Sequence, residues 1–429
     1  MRILKHKKEQ GFVIMLLAIV ILIAMVFVGA SVSALVLFQI KILSEITNST
    51  QAYFAAEAGV EDMVLRVISG MDTSVTSTLE LGGVRATTSL SSSAGGTRTV
   101  ISRGQARESA KKVRAIVDMN TAGISFFYGA QAGDGGIDME ANSKIHGNVF
   151  SNGTIRALTG TAYIDYNAIV ANPGNRIENM TIGTAGEGNK ARAYTCVDSI
   201  INGDLYYVSG GSSNCIVNGG STNVLSQDIE PEDLPISDEQ VAKWKRLALK
   251  GGVEPGDYII AGGTIEVLGP KKINGNLIIE NNAALVMSGT LWVTGDLELN
   301  NGVTISLDNN YGPTSGVLIV DGEIFVANRS EFYGSGQEGS YLMLLSTSNS
   351  ADIDNPAIDV HNRAGGDIIF YASNGMIRLR NRADIREAVG WKIYLDNNVE
   401  VSYEAGLANS LFSSGPAGGW ELADWSEIE

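Results

Sequence analysis

Ile273-Asn274-Gly275-Asn276-Leu277 is followed by Val293-Thr294-Gly295-Asp296-Leu297, the same apolar, polar, Gly, Asn/Asp, apolar form 20 residues further on. Ile145-His146-Gly147-Asn148-Val149 and Ile201-Asn202-Gly203-Asp204-Leu205 repeat it. Asn362, Asn381 and Asn398 step by 19 and 17 residues beside strand-like text such as DIIFYAS, MIRLR and WKIYL, and Asn-Gly recurs at Asn152, Asn202, Asn218, Asn274, Asn301 and Asn374. One such pair suggests a two-residue hairpin. Recurrence near a fixed period predicts instead a parallel β-solenoid (β-helix), whose short turns can bury their apolar face only against the next turn. Asn148, Gly203, Asn274, Gly275, Asn276 and Gly295 are then corner residues, because Gly and Asn accept left-handed dihedrals and stacked Asn can bond along the stack. From residue 123 onward the length suggests about fourteen turns, a rod of roughly 65 Å. An antiparallel propeller or sandwich is the alternative, and the weakness of any longer period counts against it.

Upstream the character is different. Met1 to Gln10 is short and basic, and Phe12 to Phe38 is a 27-residue run without charge or Pro. As a helix it is about 40 Å long against a hydrocarbon core of roughly 30 Å, so it is expected to span a membrane. Arg2, Lys5, Lys7 and Lys8 place the short N-terminal side in the cytoplasm and the bulk of the chain outside, a single-pass protein of the cytoplasmic membrane. A buried helix rarely reaches this length uncharged, and a cleaved signal has an apolar region about half as long. Apolar Ile42, Ile46, Phe54, Ala58, Val64, Leu65 and Ile68 continue the helical spacing toward a stop at Gly70.

A basic leader ending in Gly11-Phe12, the apolar segment, and Ala52-Tyr53-Phe54-Ala55-Ala56-Glu57-Ala58 together resemble type IV pilins, in particular PilX-type minor pilins. The resemblance covers about the first 70 residues. It implies cleavage after Gly11 and methylation of Phe12 by a prepilin peptidase, with Leu16, Phe54, Ala55, Ala56 and Glu57 on a helix that meets the membrane and other pilin helices. Leu16 stands where major pilins carry Glu, which implies a low-copy, tip or priming position. The solenoid text is loosely similar to bactofilin-type polymer-forming domains, in pattern only.

The organisation expected is α+β: leader 1–11, pilin-like helix 12–70, small β subdomain 71–122, first solenoid segment 123–227, acidic linker and capping helix 228–252, and second solenoid segment 253–429. Within the subdomain, Gly82-Gly83 and Gly95-Gly96 mark turns between three or four strands, and Arg103, Arg107, Lys111, Lys112 and Arg114 form either a solvated face or a site near anionic headgroups. Ser237 to Gln240 is a capping box, with Val241, Trp244, Leu247 and Ala248 on one face.

Composition limits the chemistry. With net charge −16 a broad nucleic-acid-binding face is not expected, and His6, His146 and His361 are the only imidazoles. No phosphate loop, nucleophile elbow or metal-ligand pair occurs, so no catalytic residue, metal or cofactor is expected. Cys196 and Cys215 can form a disulfide, two free thiols or, least of all, a metal site. Gly133-Asp134-Gly135-Gly136-Ile137-Asp138 has half the form of a calcium loop but reads as a solvated turn. Asp352, Asp354 and Asp359 are the nearest thing to an acid cluster of a carbohydrate-active solenoid. Trp391, Tyr394, Tyr403, Trp420 and Trp425 are core or a glycan-stacking face, and Glu421, Asp424, Glu427 and Glu429 an acidic solvated end. The function expected is a minor pilin-like component displaying the solenoid for assembly, adhesion or scaffolding, with surface glycans or other cells as possible partners. The alternatives are a membrane-anchored surface-layer solenoid and an anchored carbohydrate-active enzyme.

Overall fold

The computed structural model describes residues 3–68, 75–91, 97–119, 121–415 and 420–428. The Gly70 stop, the Gly95-Gly96 turn, Glu429, and the side chains of the leader, Trp420 and Glu421 lie outside the described residues.

One helix, α1, runs from Ile3 to Ile68, about 100 Å at 1.5 Å per residue. From Phe12 to Ile46 its large apolar side chains are exposed. Beyond that, Ala52, Ala55, Ala56, Val60, Met63, Val64 and Val67 are buried at three- and four-residue steps, which makes one apolar face. That face packs on an antiparallel sheet ordered 76–81, 84–90, 97–106, 109–119, 420–428. The approach is close: a Cβ on Gly104 would strike the Ala52 carbonyl, and one on Gly59 would strike Ser102 and Thr88. Val60, Met63, Val64 and Val67 contribute roughly 2 kcal/mol each by burial against Val100, Val113 and Val117.

The fifth strand corrects the expected boundary at 429. Trp420–Ile428 pairs with Ser109–Met119, so the solenoid is inserted into this sheet between two neighbouring strands. The acidic end is no solvated cap: Glu427 pairs with Lys111 and Asp424 with Arg114 across that seam.

The solenoid has three sides per turn and parallel strands throughout. Turns begin at Val253, Lys271, Leu291, Gly316, Leu342, Ile368, Glu387, Ala130, Val149, Ala168, Asn189 and Gly203, and Thr222–Leu225 adds a last strand. That is a dozen turns, fewer than the length suggested, and their spatial order differs from chain order. The last turn of the second segment lies under the first turn of the first, with Ala388 opposite Ala130, Ile393 opposite Ile137 and Val401 opposite Ile145. One aliphatic stack crosses the junction: Ile358, Ile377, Ile393, Ile137, Ile155 and Ile177 sit in register and are fully buried.

The chain therefore enters the stack in its middle, climbs to Leu225, and must travel back to the bottom. The linker descends the first side, where Ile229, Glu232, Asp233 and Ile236 bond to Asn172, Asn152, Gln131 and Tyr371, each in a lower turn than the one before. Helix α2, Asp238–Lys250, continues downward. Ser237 accepts a hydrogen bond from the Gln240 amide, and Trp244, Leu247 and Ala248 are buried on the solenoid flank beside Phe412. This helix covers a side and does not cap an end.

Candidate functional site

The repeated form marks two corners, not one. Ile145 to Val149 and Ile201 to Leu205 turn from the third side to the first, whereas Ile273 to Leu277 and Val293 to Leu297 turn from the first to the second. At the latter corner the Gly295 amide donates to the Gly275 carbonyl at 2.9 Å, and the Asp296 amide to Asn276 Oδ1 at 2.8 Å. A Cβ on Gly275 would come within 2.7 Å of the Asp257 amide below, so glycine is required there. At the former corner Asn167 Nδ2 donates to Asn148 Oδ1 at 2.9 Å, and Gly203 turns with φ 148°. Asn274 ends the strand Lys271–Asn274 at the corner opening.

The remaining corner is the left-handed one. Its positive-φ occupants up the stack are Gly263, Asn282, Gly302, Arg329, Arg363, Arg382, Asn398, Asn142, Asn179 and Asp198, while Thr161 holds the place in the turn between the Asn142 and Asn179 turns. Asn398 thus stacks on Arg382, not on Asn381, because the turn between them is shorter. One residue earlier, Asn328 Nδ2 donates to Asn301 Oδ1 at 3.1 Å and Asn362 Nδ2 to Asn328 Oδ1 at 2.8 Å, an amide ladder along the edge. Arg329, Arg363 and Arg382, which no motif had singled out, line a trough of about 550 Å³ with Asn301, Asn328, Asn362 and Asn381. Gly, Asn and Asp are what steric limits lead one to expect at such a position; arginine is not.

The expected assembly residues divide. Ala55 and Ala56 are buried against the chain's own sheet, whereas Leu16 and Phe54 are 52% and 59% exposed. Glu57 accepts from the Tyr53 hydroxyl at 3.4 Å. Phe12 is 66% exposed, and an 18-residue window within Phe12–Ile68 has mean hydropathy 3.3 with none of it buried.

Cys196 and Cys215 form a disulfide with Cα atoms 5.8 Å apart, which staples the topmost full turn to the one below. The Gly133 to Asp138 segment lies within the strand Ala130–Met139, and Asp138 pairs with Arg156 and Lys392 at 2.6 and 2.9 Å. Asp138 is thus committed to ion pairs, and the strand bends at the exposed Asp134 with Gly136 at φ 76°. The Asp352 cluster is likewise committed: Asp359 accepts both Arg380 nitrogens at 2.6 and 2.8 Å, and Asp352 accepts the Asp354 amide at 3.0 Å. Among the described residues no group of three or more His, Cys, Asp or Glu is placed to hold a metal. Tyr394 donates to Glu140 and Tyr403 to the Phe126 carbonyl, so both are structural, and Trp391 is 36% exposed. Trp425 packs at the margin of the core under α1.

Glu387 is a buried carboxyl on the covered first side, stacked on Ile369, and neither oxygen has a hydrogen-bond partner. Burial pushes its pKa well above the carboxylate range. At the bottom turn three inward positions are polar, Glu254 under Ile273, Tyr258 under Leu277 and Glu266 under Leu285, beside the apolar Ile260 and Leu268. Lys271 pairs with Glu254, and Tyr258 donates to Glu266, whose hydrogen bond holds the phenol up to about 12.

No family model and no curated protein sequence matches the chain. Among solved structures it is similar to the competence-associated pilin ComZ from Thermus thermophilus, at 12% identity over 89% of this chain and 98% of that one, with a TM-score of 0.26. It is also similar to an ice binding protein from an Antarctic Flavobacteriaceae bacterium, at 8% identity over 64% and 81%, with a TM-score of 0.14. Both scores are too low to carry a fold or an activity over to this chain.

Proposed function

We propose that the chain is a pilin-like surface component, anchored through the bare half of α1 and displaying the solenoid outside the cytoplasmic membrane without catalysing a reaction. The observation that carries this reading is the division of one helix. Its large apolar side chains are exposed from Phe12 to Ile46, and its last turns are sealed by a small sheet into which the solenoid is inserted. Apolar surface of that extent needs lipid or other apolar helices around it. Leu16 offers no carboxylate to a neighbour's N-terminal amine, which favours a low-copy position over bulk polymerisation. End-to-end association of solenoids into a surface layer is disfavoured by Glu254 and Glu266 at the inward positions of the bottom turn.

The test is the mature N-terminus by mass spectrometry in cells with and without a prepilin peptidase. A chain starting at methylated Phe12 only when the peptidase is present supports the reading. Retention of Met1 to Gly11 in both would sink it and leave an anchored rod.

A further inference from the structure

We infer that the arginine corner is a binding site for a linear acidic polysaccharide, one carrying uronate carboxylates along its length. Arg329, Arg363 and Arg382 occupy equivalent positions in three consecutive turns with φ of 62°, 60° and 65°. At adjacent-strand spacing of about 4.8 Å the three span roughly 10 Å in a straight row. A left-handed backbone is strained for arginine, and the other left-handed occupants of this edge are Asn, Asp or Gly. Arginine was thus placed where a more stable residue was available, and the side chain must supply what the fold does not need.

The charges are also free. Arg156, Arg378, Arg380 and Arg386 on the neighbouring sides are each paired with an aspartate, whereas among the described residues Arg329, Arg363 and Arg382 form no ion pair. All three are exposed on a chain of net charge −16. Guanidinium groups bind carboxylates through two parallel hydrogen bonds. The asparagine ladder beside them presents amides at the same repeat, suited to sugar hydroxyls.

The geometry selects among polyanions. Single-stranded nucleic acid is held largely by stacking on aromatic rings, and none lines this trough. Duplex DNA or an anionic bilayer asks for a broad basic face, but on the flanking sides Arg378, Arg380 and Arg386 are already neutralised by Asp396, Asp359 and Asp367. A thin polymer can follow the edge and avoid them.

The experiment titrates the full chain in neutral detergent with a decamer of galacturonate, its methyl ester and a single-stranded thymidine oligomer, at low and moderate salt. The expected result is saturable binding of the acid, weakened about tenfold for each arginine replaced in R329N, R363N and R382N, with no binding of the ester. Asparagine already serves this position in other turns, so the triple variant should melt no lower than the parent, separating lost binding from lost folding. Absent binding, equal binding by the triple variant or by the ester, or tighter binding of the thymidine oligomer would each overturn the assignment.

Discussion

Arg363 and Glu387 occupy positions that work against stability in opposite ways. Relieving the strained backbone, Arg363→Asn should raise the stability of the solenoid by up to about 1 kcal/mol, measurable in urea unfolding. Glu387 works through protons. Its folded pKa is raised, so above the ordinary carboxylate range the unfolded chain ionises while the native state keeps its proton. Stability therefore falls as pH rises from about 4.5 toward the folded value, by roughly 1.4 kcal/mol per pH unit. Glu387→Gln should be more stable than the parent at pH 7 and converge with it near pH 4; curves that stay parallel would contradict a buried neutral acid.

At the scale of the element, the two ends of the solenoid are closed by different devices. The bottom turn places Glu254, Tyr258 and Glu266 inward and Pro255 in its edge strand, which lacks an amide to donate. Replacing Glu254 and Glu266 together by leucine should expose an apolar end and yield end-to-end dimers by light scattering. The top turn is held by the disulfide, whose loss in Cys215→Ser should cost about 3 kcal/mol locally. Hydrogen exchange should quicken across 213–225 while the aliphatic stack below stays protected. Both solenoid and apolar helix were legible in the sequence because periodicity and length are local signals. That one motif serves two corners was not, since both bends leave no room for a Cβ: Gly275 and Gly203 look alike in text. The arginine corner stayed hidden for a related reason, because variable turn length puts Arg329, Arg363 and Arg382 at unequal spacings.

For the whole molecule, what the sequence concealed is order. Ala388 meets Ala130, and Lys111 meets Glu427, across hundreds of residues, and no local pattern encodes such pairings. The basic strand 109–119 and the acidic strand 420–428 each looked like a solvated face because each is the other's partner. Ending the chain after Gly415 should therefore uncover Val113, Ala115 and Val117 beside the basic strand's unpaired edge and lower the melting temperature of the helix-bearing half by several degrees.

Insertion also sets a timetable for biogenesis. On the topology proposed above, the turns from Ala130 to Leu225 would emerge first, whereas the turn they rest upon, Glu387–Ser402, is synthesised long after them, and the strand Trp420–Ile428 that completes the helix-bearing sheet comes later still. Neither half can finish before that strand has been made. A chain stopped before Glu387 leaves both unfinished, with open strand edges that proteases and chaperones can reach.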